Sequence, residues 1–283
     1  METSESINMK TIEIPEGLKT ETSENLRGKT PQIKNKWLYV GLPVIAIAFA
    51  ELWMFQEREI LGLQIHAVIL LALSLSTLYI KDQEIQRTYQ ALLLLPILRL
   101  INLSMPVFYD TTLYSFIFIY SLAAIPVSIA ATNQGFTREQ LGITFDKIGI
   151  YIPLSIILGL LLGIGEYMII RTNNLIPDFS VFNLLILSII MIFFVGLVEE
   201  TIFRSILQNR LDAILGSNAG LIVTSILFGL MHSVYGNISE IVYTFFVGIF
   251  IGYLFYKTRS LPLVMLIHGF INVFLFGVFP FLF

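Results

Sequence analysis

The chain has 283 residues, 56% hydrophobic and 13% charged, with a mean hydropathy of +0.81. Soluble domains carry about 25% charged residues, so an ordinary soluble fold is excluded and a multi-pass membrane protein is indicated. The net charge of −3 gives no basic footprint for nucleic acid, and the absence of cysteine excludes disulfides, a thiol nucleophile and thiolate metal ligands.

Residues 1–36 mix six Lys/Arg with six Glu and contain no aromatic residue. Such a segment cannot bury enough apolar surface to fold alone. It also lacks the apolar stretch of a signal peptide. It is expected to be a disordered cytoplasmic tail.

A membrane-crossing helix needs about 20 apolar residues. Nine segments qualify, roughly 37–55, 62–80, 90–108, 113–131, 148–170, 181–203, 218–236, 239–257 and 260–281. Continuous runs such as "VILLALSLSTLYI" at 68–80 lack the alternation of a β-barrel. The expected fold is all-α: a polytopic transmembrane helix bundle of about nine spans, within a range of eight to ten, forming one membrane domain over 37–283. With the N-terminus cytoplasmic, the inner loops and tail carry fourteen Lys/Arg and the outer loops only Arg58 and Arg171. That asymmetry follows the positive-inside rule and suits an integral protein of the plasma membrane. Between the fourth and fifth spans, Thr137 followed by Glu139 and Gln140 predicts a short capped helix at the cytoplasmic surface.

Ionisable groups inside a bilayer are costly, so each one in a span is a site candidate. They are Glu51, His66, Arg99, Glu166, Glu199, Glu200, Arg204, His232 and His268, with Asn272 as an amide neighbour. In "FFVGLVEETIFRSIL" (193–207), Glu200 and Arg204 are spaced for an i,i+4 ion pair. Glu199 lies about 100° around the helix. Arg204 therefore braces Glu200, and Glu199 is the freer carboxylate, available as a general base. The competing reading is a helix end surfacing among cytoplasmic charges. His232 follows Phe228 by one turn, and Asn272 follows His268 by one turn. His66 and Glu166 read as packing or interfacial groups. A zinc site of the HExxH type is absent, no span interior holds an aspartate pair, and Ser217 falls in a loop. A glutamate and histidine site remains.

Three elements then stand in order: Glu199-Glu200-x-x-Phe203-Arg204, Phe228-x-x-x-His232 and His268-x-x-x-Asn272. With "LGIT" (141–144) and "SLPLVMLIHGFIN" (260–272), they resemble the CAAX-prenyl-endopeptidase and bacteriocin-processing (CPBP) family of intramembrane proteases. The likeness covers about 135–275, which would be the catalytic core. Ser205 stands where members of that family often have glycine.

The resemblance implies an integral-membrane endopeptidase acting on a membrane-associated peptide or protein. Glu199 would activate water, His232 would help hold it, and His268 and Asn272 would polarise the scissile carbonyl. Glu200, Arg204 and Phe228 would support them. Two arrangements stay open. One needs no cofactor. The other has a zinc ion on His232, His268 and Glu199 or Glu200. Non-catalytic immunity or scaffold proteins of the same fold, and a proton- or ion-coupled transporter, are the alternative functions. Glu199, His232 and His268 are expected to converge on one polar cavity; with the sixth span ending near 203, straight helices would put His232 too far from Glu199, so tilt or a late start to the seventh span within "LGSNAG" must close the gap. The expected cavity opens on the cytoplasmic half.

Overall fold

In the computed structural model, residues 35–104 and 112–283 are described, and Asn35–Phe283 forms one compact unit. The expected tail lies outside the described residues, apart from its last two positions. Every described element is helical: α1 Lys36–Phe55, α2 Glu59–Tyr79, α3 Gln83–Leu92, α4 Leu94–Ser104, α5 Leu113–Asn133, α6 Arg138–Leu141, α7 Ile148–Ile170, α8 Val181–Leu215, α9 Ser217–Leu230, α10 Ile238–Thr258, α11 Leu261–Gly277 and α12 Phe279–Leu282. Among the described residues, eight helical segments are long and apolar enough to cross a membrane, so the chain is a polytopic helical bundle.

The expected span at 90–108 differs. Its helix begins earlier, because Asp82 caps the backbone N–H groups of Glu84 and Ile85. It divides at Leu93, where Pro96 offers no N–H to the Leu92 carbonyl. The capping box of Thr137 and Gln140 forms as expected and starts α6.

Side-chain bonds fix which helix ends lie together. Tyr89 donates to the Tyr39 carbonyl, Gln86 to Thr77, Gln134 to Arg87 and Asn209 to Gln140, while the Leu261 N–H donates to Gly142. These contacts gather Lys36, Lys81, Arg87, Arg138, Arg210 and Arg259 at one end of the bundle. At the other end, Asn237 donates to the Ile169 carbonyl and Thr172 to Leu275. There α3–α4 has run from Arg87 to Arg99, whose guanidinium reaches the Met231 carbonyl at 2.7 Å. The pair is not among the eight segments long and apolar enough to cross a membrane, and it carries Arg99 inward to the depth of the His232 turn.

Helix α11 is central, with 78% of its apolar window buried against 17% for α7. It packs closely on α8 because glycines face each other. A Cβ at Gly269 would lie 2.5 Å from Ile192 Cγ1 and 2.7 Å from its Cα, and a Cβ at Gly196 would lie 2.8 Å from the Met265 carbonyl oxygen. This approach brings the helix carrying Glu199 and Glu200 against the helix carrying His268. Gly269→Ala is therefore expected to lower stability by about 1–3 kcal/mol through overpacking. Gly41→Ala, with nothing within 4 Å of its Cβ, should be near neutral. Thermal unfolding of both variants in detergent checks the difference.

Candidate active site

Glu199 lies in mid-helix, not near a helix end. Helix α8 runs 35 residues, about 52 Å at 1.5 Å per residue, well beyond the ~30 Å hydrocarbon core. It widens to π-helical turns over Met191–Gly196 and Thr201–Gln208, on either side of Leu197–Glu200. Such turns occur often at functional sites. Ser205 donates to the Leu141 carbonyl at 2.7 Å, beside the Gly142 that holds Leu261. Glu199 is six residues below Ser205 and His268 seven below Leu261, about 9 and 10 Å, so the two sit at one depth.

The expected gap to His232 closes for the same reason. The sixth span continues to Leu215, not 203, so Glu199 lies about 24 Å along α8 from its end. His232 lies about 22 Å along from Ser217 by the same rise. His232 is also outside the helix. Helix α9 ends at Leu230, and His232 precedes the 3₁₀ turn Ser233–Tyr235, which ends at Gly236 with φ +61°.

The carboxylates have separate partners. Arg204 Nε donates to Glu200 Oε2 at 3.0 Å, and His268 Nδ1 lies 2.7 Å from Glu200 Oε1. A carboxylate only accepts, so Nδ1 carries the proton and Nε2 is turned to the other side, 3.8 Å from Glu199 Oε2. Arg204 is fully buried, and its Nη1 and Nη2 have no hydrogen-bond partner among the described residues. Its guanidinium instead lies 4.8 Å from the centre of the Phe228 ring, a cation–π contact. Phe228 also meets the rings of His232 at 5.2 Å and His268 edge-on at 5.8 Å. Its carbonyl accepts from His232 Nδ1 at 3.0 Å, which leaves His232 Nε2 free of that bond.

Glu199 accepts a short hydrogen bond from the Tyr120 hydroxyl. Glu199, Tyr120 and His232 line one cavity of about 220 Å³, walled further by Arg99, Asn102 and Tyr235. His232, His268 and Asn272 line a second space of about 20 Å³, roughly one water, together with Glu166 and Thr244. His232 stands in the wall common to both.

The polar cavity does not open toward the basic end, as the sequence led one to expect. Its lining at 98–103, 116–120 and 231–235 belongs to the opposite half of the helices. Toward the basic end lies an apolar groove of about 370 Å³ that reaches Leu197, Val198 and Thr201 of the same turns. The deep position of Glu199 on an overlong helix accounts for the reversal.

Residues 181–274 match the family model described as Rce1-like, type II CAAX prenyl endopeptidase. Over that segment the chain is similar to the CAAX-protease (CPBP) family. The CPBP-like segment contains Glu199, Glu200, Arg204, Phe228, His232, His268 and Asn272. Neither curated proteins nor solved structures gave a match.

Several site neighbours escape sequence reasoning. Tyr120 lies in a plain apolar span, and no spacing marks it. Glu166 is buried, not interfacial. With His232 and Glu240 it forms the one group of three among the described residues whose ligand atoms, all within 4.8 Å of one another, could hold a metal ion. Both Glu240 oxygens are buried, and among the described residues the Glu166 carboxyl is their hydrogen-bonding neighbour. His66, read as packing or interfacial, is fully buried with Nε2 3.0 Å from Glu51 Oε1.

Arg204→Ala would leave Glu200 buried without its counter-ion, a loss of about 3–5 kcal/mol. Glu199→Gln keeps an acceptor for Tyr120 and should unfold close to wild type. Equal melting temperatures for the two variants would contradict this division between bracing and free carboxylate.

Proposed function

We propose that the chain is an intramembrane endopeptidase that hydrolyses a peptide bond with water activated by Glu199. The supporting observation is the pairing of the two glutamates. Glu200 is committed to Arg204 and His268, while Glu199 faces a cavity shared with His232.

In this mechanism a water lies between Glu199 and His232 Nε2. Glu199 takes its proton as the oxygen attacks the scissile carbonyl carbon, and the carbonyl π pair moves onto its oxygen. The Asn272 amide N–H donates to that oxygen, and the His268 ring, as an imidazolium with Nδ1–H on Glu200, donates to it from Nε2; together they stabilise its charge. Collapse breaks the C–N bond, and the proton on Glu199 passes to the leaving amine. Tyr120 orients the Glu199 carboxylate throughout. The apolar groove beside Val198 suits an apolar portion of a membrane-associated peptide. Glu166, His232 and Glu240 have the donor types to hold a divalent ion, which would supply Lewis acidity next to His232; the steps above use only the chain's own groups. The fourteen-to-two distribution of Lys/Arg supports a cytoplasmic N-terminus and basic end; we assign the protein to the plasma membrane.

Membrane peptidomics with wild type and Glu199→Gln tests the chemistry. Cleavage products should disappear with the variant, and Asn272→Ala should lower kcat about 10²–10³-fold. Undiminished cleavage by Glu199→Gln would end the proposal. Orientation is tested separately in this cysteine-free chain with Glu139→Cys and Asp178→Cys. A membrane-impermeant thiol reagent added outside intact cells should label the second and spare the first.

A further inference from the structure

We infer that Glu51 and Arg99, both outside the family-matched segment, are positioning residues that clamp the turn carrying His232 from its two sides. The inference rests on the proteolytic reading only for its kinetic consequence, not for its geometry.

His232 needs such a device, because it sits just past the end of α9 and its own helix does not fix it. The residue before it, Met231, has a carbonyl at the helix C-terminus, where the last C=O groups lack intrahelical donors. Arg99 Nη2 supplies one at 2.7 Å. A cation there also suits the negative end of the helix dipole. The residue after His232 is Ser233, whose hydroxyl donates to Glu51 Oε2 at 2.5 Å. Glu51 and Arg99 are joined to each other by two bonds, Nε to Oε1 at 2.9 Å and Nη2 to Oε2 at 2.6 Å. His66 completes the shell of Glu51 at 3.0 Å. One fork-like ion pair thus holds both neighbours of His232. It is anchored on α1, α2 and α4, and every member is buried.

With four donors on Glu51, the clamp has a defined geometry. The ring of His232 is then set by only one more bond, Nδ1 to the Phe228 carbonyl. Releasing the turn would let Nε2 drift relative to Glu199. Misplacement by about 1 Å can cost about 10²-fold in rate.

The chain has three histidines, so ¹⁵N-histidine labelling of the full protein in nanodiscs gives three ring systems to follow. Ser233→Ala removes one side of the clamp with little change in volume. The double variant Glu51→Gln/Arg99→Gln removes the ion pair without stranding one charge. In both, the His232 ring signals should shift while those of His268 stay in place. His66 should move in the double variant as an internal control. In the cleavage assay the double variant should lose about 10²-fold in kcat, with KM changing less than about twofold, since the clamp orients a reacting group and leaves the apolar groove intact. Unmoved His232 signals in Ser233→Ala overturn the clamp, even if the double variant fails to fold. His232 signals that shift in Ser233→Ala, with a wild-type protein that cleaves nothing, would instead leave the clamp standing and remove the proteolytic reading.

Discussion

The carboxylate of Glu200 accepts from Arg204 on one oxygen and from His268 on the other, and the rest of the site is arranged around that sharing. A charge buried among helices persists only when donors surround it. Meeting that need fixes the His268 ring with Nδ1 toward Glu200 and Nε2 toward Glu199. It fixes the Arg204 guanidinium above Phe228, whose carbonyl in turn holds His232. Three motif elements far apart in sequence are thereby brought around one acid that itself takes no part in the proposed bond breaking.

That packing is possible only because α8 and α11 approach at Gly196 and Gly269. Without a hydrophobic drive between helices in lipid, close contact relies on small residues and on polar pairs. Both are used here at the same interface. The π-helical stretches on either side of Leu197–Glu200 serve the same end, since a widened turn rotates the following side chains relative to a regular helix. Adjacent carboxylates can then face different partners.

Much of this was legible in the sequence. Continuous apolar runs revealed the bundle because each span must satisfy its backbone internally, and the i,i+4 spacing of Glu200 and Arg204 revealed the brace. Boundaries were less legible. The run of 181–203 loses its apolar character before the helix stops, because residues such as Gln208 and Arg210 find partners at the basic end and do not terminate α8. Partners from the first half of the chain were illegible. Tyr120, Arg99 and Glu51 are single polar residues in separate spans, and only the packing reveals that they meet Glu199 and the His232 turn. In the proposed mechanism the family-like segment supplies the reacting groups, and the helices before it supply residues that hold them.

A consistent rule then distinguishes the buried acids. Glu51 has Arg99, His66 and Ser233; Glu200 has Arg204 and His268; Glu199 has Tyr120 and a cavity shared with His232. Glu166 and Glu240 differ, two buried acids that among the described residues face each other and His232 with no cation beside them. A buried acid without a compensating charge is too costly to be incidental. A proton shared between the two carboxyls or a cation would satisfy the pair, next to the one-water space that Glu166, His232, His268 and Asn272 line. A divalent ion in the proposed site would find its grouped donors at Glu166, His232 and Glu240, not at the set of His232, His268 and Glu199 or Glu200 that the sequence offered.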